Sequence, residues 1–175
     1  MGSVYAERVF NKSNPRIALL SNGEEPGKGN ELVKDTFPLL EQIDLNFIGN
    51  VEPKDVYSGA ADVVVSDGFV GNIFLKTSEA IAKFLIDTIR TEIKASPVTS
   101  LGGLIVKPAF KKVGKLLDPA EYGGVPLLGV NGVVYIGHGR SDAYALLNAI
   151  RAARTAIEGG ILEATQEAIK SSFIS

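Results

Sequence analysis

Residues 61–73 read Ala-Asp-Val-Val-Val-Ser-Asp-Gly-Phe-Val-Gly-Asn-Ile: a short apolar run meets a turn with two glycines and opens into a long amphipathic helix. Ligands of open α/β sheets gather outside the carboxyl ends of the strands, and the start of a following helix carries partial positive charge. The junction therefore predicts an anion site, for phosphate or a carboxylate. Asn72 is placed as the N-cap, Gly68 and Gly71 permit tight turning and close backbone approach, and Lys76 falls in the first helical turn. A lysine there opposes the helix dipole unless an anion sits at the helix start; an exposed, mildly unfavourable lysine is the alternative. Asp67 either orients a substrate group or hydrogen-bonds the turn.

A second candidate loop, Ser21-Asn22-Gly23-Glu24-Glu25-Pro26-Gly27-Lys28-Gly29-Asn30, also follows a strand and precedes a helix. Its Gly-Lys pair lacks the spacing of a phosphate-binding P-loop, and no G-x-G-x-x-G opens a helix after the first strand. Asn22, Gly23 and Glu24 are read as a cleft rim, with solvated turn chemistry as the alternative. His138, the only histidine, lies in Gly137-His138-Gly139-Arg140-Ser141-Asp142, between a strand end and a helix start. There it can donate to a developing oxyanion or shuttle a proton, although a lone histidine is more often structural. One histidine and scattered acids give no metal-binding spacing, and no G-x-S-x-G nucleophile elbow exists.

Charge is unevenly spread. The formal net charge is −2, yet residues 93–117 carry five lysines and no acid, so that stretch is +5 and the rest is −7. Within it, Lys107, Lys111, Lys112 and Lys115 recur on one face, and Leu101, Leu104, Ile105, Ala109, Val113, Leu116 and Leu117 on another. This pattern suits a helix lying in a membrane interface or a dock for an acidic partner, the alternative being a core-packed helix with a solvated lysine face. Pro108 and the glycines are expected to split it into a helical hairpin.

The elements that must position these residues alternate. Strand-like runs fall at 17–20, 45–48 and 62–65 with helical patterns between them, which predicts βα units and a parallel sheet covered by helices. Two further runs, 126–130 and 133–136, are separated by Asn131-Gly132, so an antiparallel hairpin is expected and the sheet is read as mixed. Apolar residues at three-and-four spacing predict a helix over 72–94, roughly 33 Å long, which either covers the core or packs against a partner subunit or a missing domain. A helix is expected after Ser141 as N-cap, then a break at Gly159-Gly160 and a shorter helix over 161–169.

With 175 residues, 45% hydrophobic and 22% charged, the chain is expected to form one α/β domain over 1–175, with a basic amphipathic segment at 98–117. The absence of cysteine excludes a disulfide framework, a thiolate metal site and an acyl-cysteine intermediate from this chain. Glu7 and Arg8 interrupt the start before any apolar core of signal-peptide type, no apolar run approaches a membrane span, and the charge predicts no nucleic-acid affinity.

Taken together, these segments resemble the carboxyl-terminal half of the bacterial phosphate acyltransferase family, the PlsX proteins. The matching stretches are Met1-Gly2-Ser3-Val4-Tyr5-Ala6, Gly23-Glu24-Glu25 with Lys28-Gly29-Asn30-Glu31-Leu32-Val33-Lys34, Phe47-Ile48-Gly49-Asn50-Val51-Glu52, Asp67-Gly68-Phe69-Val70-Gly71-Asn72 with Leu75-Lys76, Glu121-Tyr122-Gly123-Gly124 with Pro126-Leu127-Leu128-Gly129, and His138-Gly139 with Ser141-Asp142-Ala143. The resemblance implies a three-layer α/β sandwich with a mixed, mostly parallel sheet, similar to isocitrate and isopropylmalate dehydrogenases and to phosphotransacetylases, and a homodimer. Family members are about twice this long, so a missing amino-terminal half is a further expected partner. The implied reaction moves a fatty acyl group from the thioester of acyl carrier protein to inorganic phosphate, with no cofactor. By the resemblance, Gly68, Gly71, Asn72 and Lys76 would cradle phosphate, with Asp67 and the rim Asn22, Gly23 and Glu24 beside them. His138, helped by Ser141 and Asp142, would serve the oxyanion or leaving group. The lysines would hold a cytoplasmic enzyme at the inner membrane face or receive the acidic carrier. A short-chain phosphate acetyltransferase and a non-catalytic docking fragment are the competing expectations.

Overall fold

The structure, a computed structural model, describes residues 1–172. Contacts within the expected domain over 1–175 fall into two compact units, both assembled from separated stretches of chain. The first unit takes residues 1–67, 126–136 and the chain from 151 onward; the second takes 68–125 and 137–150.

The first unit is built on a three-stranded parallel sheet in the order β2-β1-β3, formed by β1 (Ile17–Leu20), β2 (Phe47–Val51) and β3 (Val63–Val65). All four residues of β1 are buried, the signature of a central strand covered on both faces. Helix α1 (Gly2–Phe10) packs on β3, α2 (Glu31–Glu41) on β1 and β2, and α3 (Pro53–Ser58) on β2, giving the layered α/β arrangement the sequence suggested. Helices α2 and α3 fall where helical patterns were expected between the strands, whereas α1 is an addition to that reading. Asn11, at φ 53°, ends α1, and Pro53 with a Glu52/Asp55 capping box starts α3. Residues 45 and 46 precede β2 as a turn, so that strand begins two residues later than expected. The last helix, α7 (Ile161–Ser172), packs against α1 and buries Ile161. Tyr5 and Tyr135 share a 2.8 Å hydrogen bond, and burial raises the Tyr135 phenol above its ordinary value.

Asp62 ties the entrances of β1 and β3 together. Its carboxylate accepts from the Arg16 Nε at 2.9 Å and the Arg16 backbone N–H at 3.0 Å, with Lys12 Nζ at 3.4 Å. The Arg16 side chain, then its backbone, holds this carboxyl well below the usual range. A depressed carboxyl stabilises the fold above its unfolded pKa of about 4, and the contribution fades as pH falls below that. Melting curves should therefore show a steeper acid loss of Tm in the native chain than in Asp62→Asn, the two converging at low pH.

The second unit carries α4 (Gly68–Lys94) and α5 (Pro97–Leu116), which pack on each other, followed by a 3-10 turn at Pro119–Glu121. Helix α4 starts four residues before the expected Asn72 and is roughly 40 Å long. Helix α5 runs unbroken through Pro108, so the expected split is corrected: the hairpin is α4 against α5. Ser96 caps α5 in a reciprocal capping box with Thr99, and Gly103 lets the helices close, since a Cβ there would stand 2.4 Å from Ile93 Cγ2. No residue of α4 or α5 is buried within this chain. Among the described residues, no helix is long and apolar enough to cross a membrane.

The expected mixed sheet is also corrected. Strands β4 (Gly124–Pro126) and β5 (Tyr135–Gly137) pair as a separate two-stranded sheet. They stop short of Asn131-Gly132, and residues 127–134 form a longer connection closed by Leu127 N–H to Val134 O at 2.9 Å. Helix α6 (Ala143–Glu158) follows, with Ala145, Ala149 and Ala156 buried.

Candidate functional site

In the first unit the rim loop leaves the carboxyl end of β1 and closes at several points. Asn22 Oδ1 accepts from the Gly29 N–H at 2.9 Å, and the Lys28 N–H donates to Glu25 O at 3.0 Å. Gly29 stands at φ +101°, where a Cβ would also press 2.6 Å from the Val33 side chain, so this position requires glycine. Asn30 then caps α2, accepting from Val33 N–H at 3.0 Å. Gly23 is buried and lies over Lys28, whose Cγ would be 2.7 Å from an added Cβ.

Two residues from β2 and α3 hold this loop, and sequence reading missed both. Asn50 Nδ2 donates to Glu25 O at 2.9 Å, and Lys54 Nζ reaches Glu24 at 3.0 Å. Lys54 also pairs with Glu52 and lies 3.7 Å from Asp55. Carboxylate oxygens of Glu24, Glu52 and Asp55 lie within 4.8 Å of one another. Hydrogen bonds to Glu52 and Glu24 raise the lysine's pKa, so its ammonium is a fixed counter-charge to the three acids. The signal for these contacts was Asn50 and Glu52 in the resemblance segment, but 25 residues separate Asn50 from Glu25 and no local spacing reports such a pairing.

In the second unit, α4 begins at Gly68, so its opening turn is residues 68–71 and Asp67 directly precedes it. A carboxylate there answers part of the helix's positive end. Asn72 is exposed in the second turn and is not the N-cap. Lys76 lies beyond the first turn and pairs with Glu79 at 3.0 Å, which accounts for its charge without a ligand. At Gly68 a Cβ would meet nothing within 4 Å, so the helix start opens onto free space.

His138 is exposed, and its Nδ1 accepts from the Arg140 N–H at 3.3 Å, an arrangement that leaves Nε2 to carry the proton of the neutral ring. Ser141 N–H donates to His138 O at 2.9 Å, folding the segment back before α6. Asp142, not Ser141, caps that helix: its Oδ1 accepts from Ala145 N–H at 2.8 Å. The cap fixes one Asp142 oxygen and leaves Ser141 at the mouth of the turn.

On α5, Lys107, Lys111, Lys112 and Lys115 are all exposed, and among the described residues Lys115 alone of them has an acidic partner, Glu121 at 3.4 Å. The apolar side is exposed too, with Val98 at 81% and Ile105 at 77%. Within this chain no residue of the segment is buried.

Residues 1–164 match the family described as "Fatty acid synthesis protein". The chain is 51% identical to a protein named phosphate acyltransferase from Desulfitobacterium hafniense, over 93% of this chain and 49% of that protein. It is 49% identical to one of the same name from Carboxydothermus hydrogenoformans, over 99% and 52%. A third, from Dictyoglomus turgidum, is 54% identical over 90% and 47%. The chain spans about half the length of these curated relatives. On this evidence it belongs to the fatty acid synthesis protein family, beside proteins named phosphate acyltransferase.

Proposed function

We propose that this chain contributes to a phosphate acyltransferase that moves a fatty acyl group from the thioester of acyl carrier protein to inorganic phosphate. The observation that carries the reading is the match of nearly the whole chain, at about half identity, to proteins named phosphate acyltransferase. A phosphate oxygen attacks the thioester carbonyl, a C–O bond forms, the C–S bond breaks, and the thiolate takes a proton to leave as free thiol. Such a reaction asks for an anion cradle, charge stabilisation and a proton donor.

The start of α4 with Asp67, Gly68 and Gly71, the following positions Asn72 and Lys76, and the braced loop with Asn22, Gly23 and Glu24 are assigned to phosphate and substrate binding. Both follow strands of the parallel sheet at the ends where ligands gather. His138 is assigned to the oxyanion or the departing sulfur through its Nε2–H, with Ser141 and Asp142 holding the turn. Hydroxamate trapping of acyl phosphate tests the reading, first with the chain alone and then with an amino-terminal half added. No trapped product in the reconstituted sample would overturn it.

The exposed apolar and lysine faces of α5 favour a second role in the same protein: peripheral docking on an anionic membrane or on the acidic carrier protein. The apolar residues left uncovered along α4 supply a surface for a homodimer, to be tested by the mass of the chain in solution. Triple replacement of Lys107, Lys111 and Lys112 by Gln removes the three lysines that have no acidic partner among the described residues. At about 1 kcal/mol per lysine near an anionic surface, partitioning to phosphatidylserine vesicles should fall on the order of 100-fold at low salt. Sedimentation checks this, and a short-chain phosphate acetyltransferase would show no vesicle binding to lose.

A further inference from the structure

We infer that Asn50 is a positioning residue that fixes the loop of residues 21–30 from beneath; the inference rests on the phosphate role proposed for that loop. Asn50 is only 5% exposed on β2, and its Nδ2 donates to Glu25 O, the same carbonyl that receives the Lys28 N–H. One amide thus braces the turn from which Lys28 and Gly29 depart.

Sheet register places a second polar group with it. Leu19 pairs with Asn50 across the parallel strands, and side chains alternate with a period of two. Ser21, two residues beyond Leu19, therefore projects from the same face as Asn50. Its Oγ lies close under the loop, 3.2 Å from where a Cβ on Gly29 would stand. Ser21 Oγ and Asn50 Oδ1 are buried and make no hydrogen bond to any described residue. Burying polar oxygens in this way lowers stability, so the offsetting gain of the amide is its bond to the loop.

Other contacts on the loop are weaker restraints. The Lys54–Glu24 pair is about two-thirds exposed on both sides and is screened by salt, and the Asn22–Gly29 bond lies within the loop itself. The partly buried Asn50 bond is the anchor to the sheet.

Asn50→Asp in the 175-residue chain tests this, because a carboxylate cannot donate to Glu25 O whereas the protonated acid can. Amide exchange at Lys28 and Gly29 should quicken about tenfold near pH 8, with Ala18 and Leu19 in β1 unchanged, and sulfate should bind about tenfold more weakly. Both should return as pH falls and the buried carboxyl, raised by desolvation, gains its proton. Sulfate is the probe because its charge is constant over this range. Asn50→Ala should show the loss with no recovery at any pH. Unchanged loop exchange, equal acceleration in β1, or recovery by the alanine variant would each overturn the inference. A native chain that binds no sulfate would instead overturn the phosphate reading of the loop, with the exchange pattern still deciding the role of Asn50.

Discussion

Gly123→Ala is expected to cost about 4 kcal/mol or more and to abolish cooperative melting of the second unit, the largest stability effect of any single methyl group in this chain. Gly123 is buried at φ +73°, a region an L side chain rarely adopts. A Cβ there would stand 2.2 Å from Ala149 N and 2.3 Å from Ala145 O, backbone atoms of α6 that cannot yield as a flexible side chain does. Left-handed strain and overpacking therefore act together, which places the substitution in the exceptional tail of measured effects. The same close approach lets Asn148 Nδ2 donate to Ala120 O at 2.9 Å, a second clasp that a displaced helix would lose. Thermal melts read the outcome, with Gly132→Ala as control. Its Cβ meets nothing within 4 Å and its backbone carries no positive φ, so its cost should stay within about 0.5 kcal/mol.

His138→Ala should lower acyl phosphate formation by about 100-fold or more in the reconstituted enzyme, the scale of losing a positioned proton donor. Because the ring is exposed and flanked by glycines, its melting temperature should barely move. His138→Gln keeps an N–H donor, so the glutamine variant should retain more turnover than alanine if donation from Nε2 is what serves the reaction. Hydroxamate assays of both variants check it, and undiminished turnover by the alanine variant would remove His138 from the reaction.

Much of the first unit was legible in the residue pattern, and the reasons are local. β1 is a fully buried apolar run, so 17–20 was read with the right ends. β2 was misplaced because Leu45 looks like strand material, whereas pairing with β1 decides the register and shifts irregularly between Ile17 and Leu19, next to Gly49 at φ +92°. The start of α4 was missed because Gly68 reads as a turn and Asn72 as a cap; only the fold reveals that Gly68 is already helical. Pro108 failed to break α5 because the carbonyl it deprives belongs to Leu104 on an exposed stretch, where water can serve it. Within the candidate site, the glycines, the histidine and the lysine face were visible as types and spacings. The braces Asn50 and Lys54 were not, since they act across 25 and 30 residues.

Interleaving of the two units has a consequence for how the chain is made. The sheet can begin to assemble once β3 has been made, but α1 packs against α7, which begins only at Ile161. Between those events residues 68–125 and 137–150 of the other unit emerge, with the long apolar helices α4 and α5 first among them. Nascent chains should therefore keep α1 uncovered and two greasy helices in the open until α7 is made, a state that recruits chaperones. Truncations before residue 161 should remain protease-sensitive however complete their sheet.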